Sequence, residues 1–308
     1  MKACIDIGGT KVAVSLNTGA GLDLVGKRSE PTAKSGTSDA LAQQVVRMVD
    51  EAARDAGVEP STVQRAGVSS AGPFVMNAGL VELASPNICG GLAGPARGLP
   101  NDWKTAPLEA PLRRRFTQGV RVENDAVSAL EAERRWGALQ GFDHCAYVTW
   151  STGVGTGLCV DGRVLRGKNG NAGHGGHMFV SDNDDALCGC GNIGDLEALV
   201  AGNAVARRFG ADAATLLQRA RAGDAASVQV VDELCRVMGR ALYNMTVILD
   251  LQRISLGGSV FTNNKEYLLP RLQAQVKGKL PALTDGCELV AAGLGDRVGD
   301  YAALALVV

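Results

Sequence analysis

Two glycine–threonine turns in matching surroundings constrain this 308-residue chain more than any other feature. The first, Asp6-Ile7-Gly8-Gly9-Thr10-Lys11, joins the apolar run Lys2–Ile7 to residues 12–16. The second, Ser-Thr-Gly-Val-Gly-Thr-Gly at 151–157, joins Cys145–Trp150 to residues 158–160. Each reads as a strand, a tight turn and a returning strand. Such a unit, repeated in the second half of the chain, points to a duplicated α/β element. Helical periodicity covers residues 39–55, 107–118, 125–136, 195–208, 212–221, 225–250, 268–276 and the tail 301–308. Further short strands are expected at 65–69, 120–123, 253–256 and 288–291. Strands alternating with helices argue for two α/β lobes. The expected division is a first lobe over 1–121 and a larger one over 122–308, with the last helix packing back on the first. Residues 84–107 and 167–194 read as long, glycine-rich loops, a kind of segment that is uncommon in compact proteins and often functional.

Composition narrows the class. The 40 glycines show no three-residue period, which excludes collagen, and a 46% hydrophobic content excludes a disordered chain. Lys plus Arg (31) balances Asp plus Glu (32), so the basic excess of a general nucleic-acid binder is absent. The one dense basic cluster, Arg113-Arg114-Arg115, reads as a solvated helix end. The N-terminal MKACIDIGGT lacks the apolar core of a secretory signal. No uncharged apolar run reaches the roughly 18 residues of a membrane span. Eight scattered cysteines are too few for a disulfide scaffold. These features lead us to expect a cytoplasmic location, no membrane and no nucleic acid.

Five groups of residues carry chemistry. In the first turn, Gly8 and Gly9 let the backbone approach an anion, Thr10 adds a hydroxyl, and Asp6 could hold Mg²⁺ directly or through water. The alternative is an ordinary hairpin turn. The second turn offers the same chemistry through Gly153 and Gly155 and the hydroxyls of Thr152 and Thr156. Glu123-Asn124-Asp125 stands where a strand gives way to a helix, so Asp125 is either a helix cap or a general base, and in the second case Asn124 could exchange hydrogen bonds with a polyol. Two of the three histidines, His174 and His177, precede Cys188 and Cys190. Thiolate and imidazole suit zinc, and Asp195 is a credible fourth ligand beside His177, Cys188 and Cys190. Such a zinc would be structural, leaving His174 and Glu197 to face a substrate or to serve as a surface residue and a first-turn helix carboxylate. Gly257 and Gly258, closing a strand ahead of a helix, could let an adenosine lie against the backbone.

Taken in order, these pieces resemble the ROK family of sugar kinases and related sugar-responsive repressors. The resemblance runs from DIGGTK (6–11) through SPN (85–87), VENDAVSAL (122–130), TGVGTGLCVDGRVLRGKNGNAGHGGH (152–177), CGCGNIGDLE (188–197) and SLGGSV (255–260) to AAGLGDRVGDYAALAL (291–306). It implies the two-lobed actin-like ATPase (ribonuclease H-like) fold, with ATP, Mg²⁺ and a sugar as ligands and a homodimer as the usual assembly. By the same resemblance Asp125 is the catalytic base. Asn124, Asn87 (or Asn101), His174, His177 and Glu197 reach the sugar. Asp6, Gly8, Gly9, Thr10, Lys11, Thr152, Gly153 and Gly155 serve the phosphates and Mg²⁺, and Gly257 and Gly258 line the nucleotide pocket. A glucokinase acting at O6 is the leading expectation. A kinase for an N-acetylhexosamine, fructose or a cyclitol is the alternative, and a non-catalytic sugar sensor the rival. Three departures stand out: His174 where the family has Glu, Asp195 where it has a third zinc cysteine, and an expanded stretch at 89–103. A repressor is not expected, because the first phosphate motif starts at residue 6.

Overall fold

The computed structural model describes residues 1–19, 21–92, 97–182 and 186–308. The chain forms two compact units, one of Met1–Ala132, Arg166–Ala172 and Arg297–Val308, the other of Glu133–Leu165 and Gly173–Asp296.

The first unit is built on a five-stranded sheet. Strands β1 (Lys2–Ile7), β2 (Lys11–Asn17) and β3 (Leu24–Pro31) form an antiparallel meander, and β4 (Arg65–Ser70) adds in parallel beside β1. A small sheet of β5 (Phe74–Asn77), β6 (Leu80–Leu83) and β7 (Ala106–Pro107) precedes β8 (Gly119–Asn124), which joins the main sheet in parallel with β4. The order is β3-β2-β1-β4-β8. Helix α1 (Ala40–Asp55) turns Leu41, Val45, Met48, Val49 and Ala52 onto this sheet, while α2 (Glu109–Arg115) packs near β8. Of the arginines ending α2, Arg113 and Arg114 are exposed as expected and only Arg115 is half-buried. Arg113 pairs with Glu109, and Arg115 binds Asp50 and the carbonyls of Pro60 and Val63.

The unit boundary differs from the one expected at 121. Residues Glu123 and Asn124 continue the β8 ladder opposite Ser69 and Ser70, and helix α3 (Asp125–Trp136) stays with that sheet until Ala132. The chain therefore crosses inside a continuous helix, where no glycine or proline marks the change.

The second unit repeats the topology. Strands β9 (Cys145–Trp150), β10 (Val154–Val160) and β11 (Arg163–Val164) are antiparallel, and β12 (Arg253–Gly257) and β13 (Glu288–Ala291) add in parallel, in the order β11-β10-β9-β12-β13. Two sheets of five strands with the same directions are the duplication foreshadowed by the two turns. The second turn is shorter than expected, because β10 already begins at Val154. The helix expected over 195–208 is two helices, α4 (Leu196–Val200) and α5 (Gly202–Phe209). Ala201 adopts an extended ψ of 149°, and the Gly202 amide bonds Ser151 O at 2.8 Å. Helices α6 (Ala213–Arg221) and α7 (Ala225–Leu249) follow, capped by Asp212 and Asp224. Next come α8 (Ser259–Thr262), α9 (Lys265–Val276) and α10 (Pro281–Thr284). Helix α9 starts three residues earlier than its periodicity suggested.

The last helix, α11 (Val298–Ala305), belongs to the first unit and packs on β1 and β4. Its approach requires glycine: a Cβ on Gly67 would lie 2.0 Å from Ala303 O. Strand β3 went unread in the sequence because its residues alternate half-buried and exposed without a strong apolar face. It is held by pairing with β2 and by Gly26, whose φ is +61° and whose Cβ would meet Ala52 O at 2.6 Å.

Candidate functional site

In the first unit the Gly8-Gly9-Thr10-Lys11 turn is closed by the Gly8 amide donating to Lys11 O at 2.9 Å. It is braced by Thr32, which no motif singles out. Its hydroxyl donates to Gly8 O at 2.7 Å and its amide to Thr10 O at 3.1 Å. Gln44 holds the adjacent backbone at both ends, accepting from the Ala33 amide and donating to Pro31 O. Thr10 and Lys11 are exposed, as a ligand-binding turn requires. Asp6 is half-buried at the end of β1, and burial raises its pKa against an opposing hydrogen bond with Ser69.

Asn87 packs against this turn, since a Cβ on Gly9 would fall 2.7 Å from Asn87 Cβ. Its Oδ1 accepts from Arg97. Asn101 is committed elsewhere. Its amide donates to Lys34 O and Ile88 O, and its Oδ1 accepts from the Trp103 amide, so it organises the long loop. Of the two asparagines, Asn87 is the one beside the turn.

At the head of α3 the Ala126 amide is shared, donating to Asn124 Oδ1 at 3.0 Å and to Asp125 Oδ1 at 2.8 Å. Asp125 stands next to Asn124 with an exposed side chain. Surrounding protein thins its hydration and pushes its pKa up to about 6, with the charge of Asp6 adding to the rise. A carboxylate can be open on one edge and still poorly hydrated, and that combination suits a base that must meet a ligand.

In the second unit, Thr152 is exposed at the turn. Thr156 is fully buried and donates its hydroxyl to Gly173 O, which removes it from the expected phosphate donors. Its amide also points to Gly173 O, so by strand alternation the Gly155 amide faces β9, opposite Thr149. The part of the turn left outside the β10 ladder is thus residues 151–153. Glu197 lies under it. Its Oε2 accepts from the Val154 amide at 3.0 Å, and a Cβ on Gly153 would lie 2.7 Å from that oxygen.

Glycines 173, 175 and 176 let the following loop lie directly on β10: a Cβ on Gly176 would meet Val154 O at 2.1 Å. This seats His174 and His177 with their rings stacked at 6.2 Å. His177, Cys188, Cys190 and Asp195 offer ligand atoms all within 4.8 Å of one another. Asp195, fully buried, divides its carboxylate. Oδ1 caps α4 by accepting from the Ala198 amide, while Oδ2 faces His177 Nδ1 at 3.1 Å and Cys190 Sγ at 3.5 Å. One nitrogen, two sulfurs and one oxygen at these separations fit a tetrahedral zinc shell.

Gly257 and Gly258 end β12 where β9 leaves no room for a side chain. A Cβ on Gly258, at φ +86°, would meet Trp150 O at 2.5 Å. Beyond them a cavity of about 490 Å³ is lined by Thr152, Gly202, Asn203, Ser259, Val260 and Asn263. That volume is in the range of small-molecule sites. A larger cavity, about 920 Å³, is lined by Asp50, Arg54 and Arg115 among others and contains none of the expected site residues.

Comparison with known proteins fits this geometry. A family model described as ROK family matches residues 2–308. A ROK hexokinase from Thermus thermophilus superposes with a TM-score of 0.77 at 31% identity, covering 99% of this chain and 97% of that one. A ROK family glucokinase from Streptomyces griseus, solved in complex with glucose and AMPPNP, has a TM-score of 0.69 at 27% identity, covering 98% and 97%. The N-acetylmannosamine kinase of Salmonella typhi is 33% identical over 262 residues, 83% of this chain and 82% of that protein. The fold is that of the actin-like ATPases, with mixed sheets and helices as in these structures.

Proposed function

The chain belongs to the ROK family as one of its sugar kinases, and on that premise we propose that it moves the γ-phosphoryl group of ATP to a primary hydroxyl of a hexose or N-acetylhexosamine, with Asp125 as the base. The observation that carries this reading is Asp125 itself: an exposed carboxylate at the head of α3 with a pKa raised to about 6, sharing the Ala126 amide with Asn124. At neutral pH it is ionised yet basic enough to take a proton from an attacking hydroxyl.

The other residues have narrower tasks. The amides of Gly8, Gly9 and Gly153 and the hydroxyls of Thr10 and Thr152 would hold phosphate oxygens, with Lys11 nearby. Asp6 would hold Mg²⁺, which when bound offsets charge on the transferring group. Gly257 and Gly258 directly precede Ser259 and Val260, which line the 490 Å³ cavity, and would let a nucleoside lie against the backbone there. Asn87, Asn124, His174 and His177 would orient the sugar. Because Asn124 Oδ1 is spent on the Ala126 amide, its NH₂ is the group left for a sugar oxygen. Glu197 has Oε2 on the Val154 amide and Oε1 facing Cys188 Sγ at 3.8 Å, so a sugar hydroxyl would be held through Oε1 once Cys188 is a zinc thiolate.

A structural zinc on His177, Cys188, Cys190 and Asp195 would pin a glycine-rich loop that carries His174 and has little regular structure of its own. The assembly proposed is a homodimer in the cytoplasm. Among the described residues no helix is long and apolar enough to cross a membrane.

Glucose and N-acetylmannosamine are both supported as acceptors, since relatives acting on each are similarly close. An ATP-coupled assay over glucose, other hexoses, N-acetylhexosamines and inositols tests the reading. Turnover with one hexose-type sugar supports it. ATP-dependent sugar binding without product would favour a sensor instead.

A further inference from the structure

We propose that Arg166 is a positioning residue that fixes the strand-to-helix junction carrying Asp125, an inference that rests on the reading of Asp125 as the base. The segment Arg166–Ala172 belongs to the first unit although the chain on both sides of it belongs to the second. It is anchored at each end. At its start Arg166 Nε reaches Glu123 Oε1, and a terminal nitrogen lies 3.3 Å from Glu131 Oε1. At its end Asn171 binds the backbone of Phe74 twice, accepting from its amide at 2.8 Å and donating to its carbonyl at 2.7 Å.

Arg121 grips the same two carboxylates, 3.2 Å from Glu123 and 2.5 Å from Glu131. Two guanidinium groups and two carboxylates therefore form a closed ring. Arg121 and Glu123 lie on β8 and Glu131 on α3, so the ring bridges the bend at which Asp125 stands.

Isolated exposed ion pairs contribute little, but these carboxylate side chains are only 6% and 13% exposed. Removing Arg166 would leave two nearly buried charges sharing one guanidinium, and the bend would lose its only tie from outside β8 and α3 within this ring. Phosphoryl transfer is sensitive to such loosening, since a misplacement of about 1 Å can cost on the order of a hundredfold in rate.

The test uses the full chain with Arg166→Ala and Arg166→Lys, and Arg163→Ala on β11 as control. Steady-state kinetics are measured with ATP and the acceptor found in the panel, and hydrogen exchange is followed over residues 122–128 in the unliganded protein. Arg166→Ala is expected to lower kcat roughly tenfold while the KM for ATP stays within about twofold. Lysine should recover part of the loss, because it keeps the charge without the fork. Exchange at 122–128 should rise in the alanine variant and not in the control. A kcat within about twofold of wild type, or exchange at 122–128 unchanged, overturns the proposal. So does exchange raised uniformly along the chain with no recovery by lysine. If the wild-type protein phosphorylates no sugar, the kinase reading fails, and the exchange measurement still decides whether Arg166 holds the junction.

Discussion

Glu133 should be among the residues least tolerant of substitution, although nothing about its chemistry is catalytic. Its side chain is fully buried near the end of α3. Oε2 accepts from the amides of Ala138 at 2.8 Å and Gly293 at 3.0 Å and from the Ser255 hydroxyl at 3.3 Å, and Oε1 accepts from the Leu294 amide at 2.8 Å. One carboxylate thus ties α3, β12 and the loop after β13 together. Replacing it with alanine orphans three part-buried amides, the Gly293 residue being exposed, so the cost per amide is at most the roughly 1–3 kcal/mol of a fully buried group and the total stays below about 9 kcal/mol. Water entering the vacated space would reduce the loss further. Against a typical domain stability of about 5–15 kcal/mol this is a large fraction. Glutamine should be milder yet still destabilising, because its NH₂ must face either the Leu294 amide or the amides of Ala138 and Gly293. Gly137 provides an independent check, since a Cβ there would lie 2.4 Å from Glu133 Oε2. Gly137→Ala should be costly in the wild-type background and much less so once Glu133 is alanine, which is the non-additivity expected of groups in contact. Urea denaturation followed by tryptophan fluorescence measures all four species. A loss below about 1 kcal/mol for Glu133→Ala, or strictly additive effects, would mean that the carboxylate does not hold these amides.

Other consequences follow from the site. If zinc fills the His177 cluster, elemental analysis of the purified protein should find one zinc per chain, and Asp195→Ala should lower both zinc content and thermal stability, because it removes a ligand and the α4 cap together. Zinc absent from protein purified without chelators counts against that assignment. With Asp125 as base, kcat/KM should fall as pH drops through about 6. The same shift affects stability. A carboxyl whose folded pKa is raised from 3.8 to about 6 makes its ionised form a burden on the fold above that pH, and the burden is relieved as pH falls toward 3.8. Asp125→Asn should therefore raise the Tm well above pH 6 and change it little below 3.8, and equal shifts at both extremes would remove the assigned pKa.

Much of the site was legible because its chemistry is local in sequence. The turn at 6–11 needs its glycines where Asn87 crowds Gly9, and the four proposed zinc ligands fall within one loop. What escaped reading is made by distant partners. Thr32 braces a turn more than twenty residues away, and Glu133 binds amides at 293 and 294, with no spacing to betray either. Gly155 and Thr156 were read as turn residues because Gly-rich strings suggest loops. The ladder of β10 absorbs both, and Thr156 turns inward to Gly173. Whether Asp125 caps α3 or acts as a base is open in the sequence, because a carboxylate at a helix start suits both. In the structure the Ala126 amide is shared by Asn124 Oδ1 at 3.0 Å and Asp125 Oδ1 at 2.8 Å, and it is the exposure of Asp125 beside buried Asn124 that sets the two apart.

If Asp125 removes the proton from the sugar hydroxyl, Asp125→Asn should separate binding from turnover. Sugar affinity, measured by calorimetry, should stay within a few-fold of wild type, while kcat with ATP falls by about a hundredfold or more, the contribution expected of a general base. A variant that binds the sugar and turns over at a near-normal kcat would contradict the account.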